Sequence, residues 1–352
     1  MKKKYLIQTV LFLNSFLFLS ASAFCQVDPN STINDSPTSI IGFNHIGLSV
    51  QNLAEMVKFY EEATGFEIVK REKVDRSKNA SMLLGIDTIS YETVTFKAPN
   101  MLLELTQYSN QENAQIGKMP PQGPGMTHTC YQSPSYESGY NKFKNSGAEV
   151  LSRGDTPVDL GGYGVTYAYA HDPEGNMFEM EQLTKARMDE YGVIVPNHPM
   201  WMTQVALISP DLKRLADFYR KVLEMNPNRE VTLSGMPRLD DIAGIDGVVL
   251  SACWFRMDGP GKMIELMQYE NPKTPTTVSK RNPTDLGYSY SFEVADIQQE
   301  YNRMKDLGVN FYSAPEVLGE FWMVFANDPD GNVFSLRQPT STGSIYSINN
   351  FN

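Results

Sequence analysis

The chain has 352 residues, of which 41% are hydrophobic and 20% charged, and its net charge is −11. That length and balance suit two folded domains rather than a disordered polymer. With an isoelectric point near 5.0 and no basic stripe beyond the N-terminus, nucleic acid and anionic surfaces are disfavoured as partners. The opening MKKKYLIQTVLFLNSFLFLSASAFCQ reads as a secretory signal over residues 1–25: Lys2, Lys3 and Lys4 are its positive end, Leu6 to Leu19 its apolar run, and Ala21-Ser22-Ala23 its small-residue cleavage region. The run is short of a comfortable membrane span. Lipid attachment at Cys25 is disfavoured by bulky Phe24. The expectation is therefore an exported protein, periplasmic or extracellular, free of the membrane after cleavage. Residues 26–39 are polar and turn-rich, a flexible lead-in. Beyond Cys25 the cysteines are Cys130 and Cys253, one in each half, for which a disulfide is possible but not indicated.

From residue 40 the chain repeats itself. FNHIGLSV then a helix with Phe59-Tyr60 is echoed by MTQVALIS then a helix with Phe218-Tyr219. Further echoes are LLELTQY with MIELMQY, NSGAEV with DLGVNF, and AHDPEGNMFEMEQ with ANDPDGNVFSLRQ. Matches in one order with slightly drifting offsets imply tandem modules, expected at 40–184 and 200–340, with a linker at 185–199 and a tail at 341–352. Within each module the order β-α-β-β-β is predicted twice. Asn52 and Asp211 stand as helix caps, with Glu55 completing a capping box. Leu53, Met56, Val57 and Tyr60 make one apolar helix face that stops at Gly65. The DPEGN and DPDGN phrases carry tight-hairpin chemistry. The fold class expected is α+β, with curved mixed sheets around a cleft.

Four residues stand out as chemistry. His45 lies in the first strand of the first module and His128 in the strand opening its second half. Glu104 lies in LLELTQY and Glu179 in MFEMEQ. If the half-modules face each other, two imidazoles and two carboxylates can meet at a divalent transition metal. Buried carboxylates in apolar strands need such a partner. His171, before a turn, and His198, in the linker, read as structural. Carried onto the second module, His45 falls on Gln204, Glu104 on Glu265, His128 on Ser289 and Glu179 on Ser335. The second module is thus expected to have lost its metal. Residues 110–126 can be a lid or a solvated connection, and Arg153, Tyr163 and Tyr167 are candidates to touch an oxygenated substrate.

These motifs resemble the vicinal oxygen chelate superfamily, which includes glyoxalase I, methylmalonyl-CoA epimerase, extradiol dioxygenases and bleomycin-resistance proteins. The resemblance covers residues 40–184 and 200–339. In the glyoxalase and epimerase branches the metal ligands come from the first and last strands of each half-module, which match His45, Glu104, His128 and Glu179. The resemblance implies zinc, nickel, manganese, cobalt or iron as cofactor. It also implies an isomerase, epimerase or lyase acting through an enediolate on a small substrate with vicinal oxygens. Glu179 is the first choice for the base and Glu104 the second. Alternatives are an iron(II) extradiol-type dioxygenase using His45, His128 and Glu179, and a non-enzymatic small-molecule binder.

Overall fold

The computed structural model describes residues 37–111, 117–191, 197–257, 262–276 and 280–351. The expected signal at 1–25 and nearly all of the lead-in lie outside the described residues, as does part of the 110–126 segment. The chain is built from four quarters. The first holds β1 (Ile40–Ser49), α1 (Leu53–Thr64), β2 (Glu67–Val74), α2 (Lys78–Leu84), β3 (Tyr91–Lys97) and β4 (Leu102–Tyr108). The second holds β5 (Gly125–Pro134), α3 (Gly139–Asn145), β6 (Glu149–Val150), β7 (Val158–Asp159), β8 (Val165–His171) and β9 (Met177–Leu183). After α4 (Lys185–Tyr191), the third holds β10 (Trp201–Ile208), α5 (Leu212–Leu223), β11 (Arg229–Leu233), α6 (Pro237–Ala243), β12 (Val249–Arg256) and β13 (Met263–Asn271). The fourth holds β14 (Gly287–Val294), α7 (Ile297–Asp306), β15 (Glu316–Leu318), β16 (Phe321–Asn327) and β17 (Val333–Pro339).

The local rules hold at the helix ends. The Asn52 side chain accepts from the Glu55 backbone N–H and donates to the Glu55 carboxylate, while the Asn52 backbone N–H donates to Glu174, so the expected cap forms but Glu55 does not close the reciprocal half of the box. It closes at Gly65, whose φ of 69° is left-handed. Asp211 caps α5 through the Arg214 N–H. In the hairpin turns, Asp172 and Asp328 each accept from two backbone N–H groups of their own turn. The expected linker is partly helical: α4 turns Met188 into an apolar patch with Val165, Leu183 and Trp201. The expected tail is part of the fold, because Ser347 donates to the buried Glu293 carboxylate and Tyr346 rests on the Phe321 ring.

The strands form two sheets. One has eight strands in the order β15-β16-β17-β14-β1-β4-β3-β2. The other has nine, β11-β12-β13-β10-β5-β9-β8-β6 with β7 on β8. The first quarter therefore joins the fourth, through antiparallel β1 and β14, and the second joins the third, through antiparallel β5 and β10. This corrects the expectation that each module closes around its own cleft. The opening strand of every quarter has a free edge of the same kind, and it mates across the modules. Equivalent residues keep equivalent places: His128 sits opposite Ala206 in one sheet, and Ser289 opposite Gly47 in the other. A shared apolar core joins the sheets and helices, with α1 packed on α3 and the Phe143 and Phe178 rings 4.5 Å apart. Each such fully buried aromatic contributes about 1.5–3 kcal/mol.

Candidate metal centre

In the nine-stranded sheet, four strands aim polar side chains at one point. β5 supplies His128, β9 Glu179, β10 Gln204 and β13 Glu265, and all four are buried. His128 Nε2 lies 3.9 Å from Glu179 Oε2 and 3.8 Å from Glu265 Oε2. Gln204 Nε2 donates to both carboxylates, at 2.6 and 2.8 Å. On the far side of the imidazole, Nδ1 hydrogen-bonds Thr127 Oγ1 at 3.0 Å, and the Tyr169 ring lies 5.1 Å away.

The electrostatics of this cluster suit a cation. Burial lowers His128 to about 3, so its imidazole is neutral and offers a lone pair. Burial, with Glu181 and then Glu265 beside it, holds Glu179 well above the carboxylate range. Burial and then Glu181 push Glu265 up to about 8. His128 Nε2 is buried with no hydrogen-bond partner, a state proteins rarely leave uncompensated. Donors about 2.1 Å from one ion are spaced roughly 3.0–4.2 Å apart, and the separations of His128 Nε2 from the two carboxylates, 3.9 and 3.8 Å, fall in that range. Turning the Gln204 amide over would bring its oxygen to the same centre. One imidazole, one amide oxygen and two carboxylates form a donor set suited to a divalent transition metal.

The four residues singled out from the sequence do not meet. His128 and Glu179 stand in the centre above, whereas His45 and Glu104 stand in the other sheet, on β1 and β4. There His45 Nε2 is 3.4 Å from Glu104 Oε2, but the positions equivalent to His128 and Glu179 hold Ser289 and Ser335. The space is taken by Arg337, whose Nη1 and Nη2 donate to the two Glu104 oxygens at 2.8 and 2.9 Å. Burial alone would raise Glu104, but Arg337, His45 and Lys70 outweigh it and bring the carboxyl down to about 2. A guanidinium thus replaces a cation, and Glu104 is removed as a candidate base. The second module is not disarmed either, since Gln204 and Glu265 complete the first module's half-set. The expected quartet failed because it paired quarters along the sequence, while the sheets pair them first with fourth and second with third.

Arg153 is bound elsewhere, 2.7 Å from Asp246 on the third quarter. Tyr163 is exposed in a loop. Tyr167 pairs across from Glu181 as Tyr169 does from Glu179, so it shares the centre's face, one register step farther out. His171 Nε2 bonds the Met119 carbonyl, and His198 accepts from the Met200 N–H at Nδ1 and bonds the Gly65 carbonyl through Nε2, both structural as expected. Cys130 and Cys253 are free and buried. Glu181, raised by burial and held by Gln132 Nε2 at 2.5 Å, was overlooked. So was its counterpart Arg337, although the charge reversal is visible where MEQ becomes LRQ.

A family profile described as Glyoxalase/Bleomycin resistance protein/Dioxygenase superfamily matches residues 42–180 and 201–336. A lactoylglutathione lyase of Arabidopsis thaliana, GLX1, is 24% identical over 189 residues, 54% of this chain and 56% of that protein. The chain spans about half the length, or less, of the curated relatives it matches. Among solved structures, a V278E mutant of glyoxalase I from Zea mays superposes with a TM-score of 0.58 at 20% identity, over 85% of this chain and 92% of that one. A putative dioxygenase from Bacillus subtilis gives 0.56 at 14%, over 87% of each. At these identities the likeness speaks to the fold.

Proposed function

Because the chain belongs to the Glyoxalase/Bleomycin resistance protein/Dioxygenase superfamily, we propose that His128, Glu179, Gln204 and Glu265 hold one divalent metal in an enzyme that moves a proton on a small substrate with vicinal oxygens. The observation that carries this reading is the buried, partnerless His128 Nε2 facing two buried carboxyl groups whose ionisation burial disfavours. When bound, the metal supplies Lewis acidity toward a carbonyl or a developing oxyanion. The protein's own groups do the rest. Thr127 fixes the orientation of His128. The apolar walls exclude water, and Glu179, beside a second carboxylate on each side, is the base that takes the proton next to the carbonyl. Glu265 is its counterpart from the third quarter and the better placed second choice, in the role first given to Glu104.

An iron dioxygenase ranks below this reading, because the centre has one imidazole with two carboxylates rather than two imidazoles with one. The intact donor set ranks a purely binding protein lower still. The leader read at residues 1–25 favours export, and with it a substrate free of glutathione, such as an α-hydroxy carbonyl or a keto sugar. The test is metal content per chain after loading with manganese, nickel or zinc, followed by deuterium uptake into dihydroxyacetone from heavy water. One ion is expected in the wild type and in His45→Ala, and none retained in His128→Ala. Loss of the ion in His45→Ala, or a wild type that takes up none, defeats the proposal.

A further inference from the structure

The eight-stranded sheet encloses a cavity of its own at the place equivalent to the metal centre. About 100 Å³ of it is reachable by the centre of a water molecule, and its walls include His45, Thr93, Glu104, Tyr108, Ser289 and Phe321. The charges around it are already matched. Glu104 is forked onto Arg337, and Lys70 lies 3.1 Å from Glu72. The Arg337 guanidinium is held further by Asn44 Oδ1 at 3.3 Å and by the Phe321 ring, 4.4 Å below it. The cavity therefore has no net field with which to choose an anion or a cation.

The tautomer of His45 is fixed by its neighbours. Asn44 Nδ2 donates to the Glu293 carboxylate and to the Tyr346 carbonyl, so the Asn44 oxygen is the atom facing His45 Nδ1 at 3.1 Å. That oxygen only accepts, so Nδ1 carries the hydrogen and Nε2 carries a lone pair. The side chain is 5% exposed, and its Nε2 sits 3.4 Å from Glu104 Oε2. Two acceptors thus lie side by side at the cavity wall with no proton between them. A metal cannot settle there against the fixed guanidinium charge. A ligand hydroxyl, donating into both, can. Tyr91 and Tyr108, with rings 5.6 Å apart, add apolar faces, and Thr93, Thr106 and Ser289 add hydroxyls.

We propose that this second cleft is a metal-free binding site for a small, uncharged, polyhydroxylated molecule, a polyol or short sugar, gripped through His45 and Glu104. It is distinct from the metal centre, so its occupancy does not depend on the His128 cluster. The experiment is saturation-transfer NMR on the metal-loaded full chain with erythritol as probe, D-glycerate as its anionic comparison and zinc as competitor. Transfer to erythritol is expected in the wild type and in His128→Ala. In His45→Leu and in Ser289→Phe, which fills the cavity, it should weaken about tenfold or more, the scale of a lost hydrogen bond to a buried acceptor. Circular dichroism checks that each variant is folded, and Ser289→Phe serves alone if His45→Leu is not. The proposal is overturned by absence of transfer to erythritol, by loss of transfer in His128→Ala, by stronger binding of glycerate, by displacement with zinc, or by a folded Ser289→Phe that binds as the wild type does.

Discussion

Lowering the pH from 8 to 6 should weaken metal binding at the His128 centre by about fifty-fold through Glu265 alone. Burial and then Glu181 raise that carboxyl to about 8 in the metal-free protein, so a metal ion must displace a proton to use it. At pH 8 a group with that pKa is about half protonated, and at pH 6 about 99% protonated, so the deprotonated fraction falls roughly fifty-fold. Glu179, raised by the same burial, makes the true dependence steeper. His128, at about 3, adds nothing in this window. The assay is a competition titration of manganese against a fluorescent chelator, at several pH values. Glu265→Gln should bind more weakly at pH 8 and lose about one proton from the slope. Glu104→Gln should leave the slope alone, because its carboxyl is held at about 2 by Arg337. A slope indifferent to Glu265→Gln, or equally sensitive to Glu104→Gln, refutes the assignment.

Metal-free protein should lose stability as the pH rises from about 6.5 to 8, above the range in which His45 and His128, both lowered to about 3 by burial, act in the opposite sense. The native state keeps protons on Glu265, at about 8, and on Asp328, at about 7, which the unfolded chain has released; each costs up to about 1.4 kcal/mol per pH unit. Urea unfolding with a chelator present measures this, and added metal should flatten the curve. Arg337→Met strands the largely buried Glu104 carboxylate and should cost about 3 kcal/mol; Glu104→Met in the same chain should restore most of it. Combining Ser289→His, Ser335→Glu and Arg337→Leu rebuilds the donor positions around His45 and Glu104, and metal analysis should then count two ions per chain instead of one. Asn52→Ala should lower thermal stability by about 1 kcal/mol through loss of the α1 cap.

Much of this was legible in the sequence, for reasons that are local. Helix caps, the Gly65 stop and the Asp-Pro turns depend on neighbours a few residues away, and each appeared where the residues dictated. Even the register of the repeat was readable: Gln204, Glu265, Ser289 and Ser335 occupy the positions equivalent to His45, Glu104, His128 and Glu179. The mating of quarters was not readable. Alternation of apolar and polar residues sets which face of a strand is buried, yet β1, β5, β10 and β14 present the same kind of edge, and nothing in their pattern names the partner. An amide is a weak ligand by itself, so nothing in the sequence marks Gln204; its value comes from the two carboxylates it touches. Arg337 shows the converse. A single arginine five residues past the repeated turn phrase reads as surface, and only its fork onto Glu104 reveals that it fills a cation's place.

The crossed mating also ranks the two clefts by how much chain each requires. Every donor of the His128 centre arises between residues 126 and 271, whereas the other cleft needs β1 and β17, near opposite ends of the described chain. During synthesis, therefore, the nine-stranded sheet can assemble while β1 waits for a mate that emerges more than two hundred residues later. Loss of the last two strands would cripple the cleft at Arg337 and leave the opposite donor cage chemically whole.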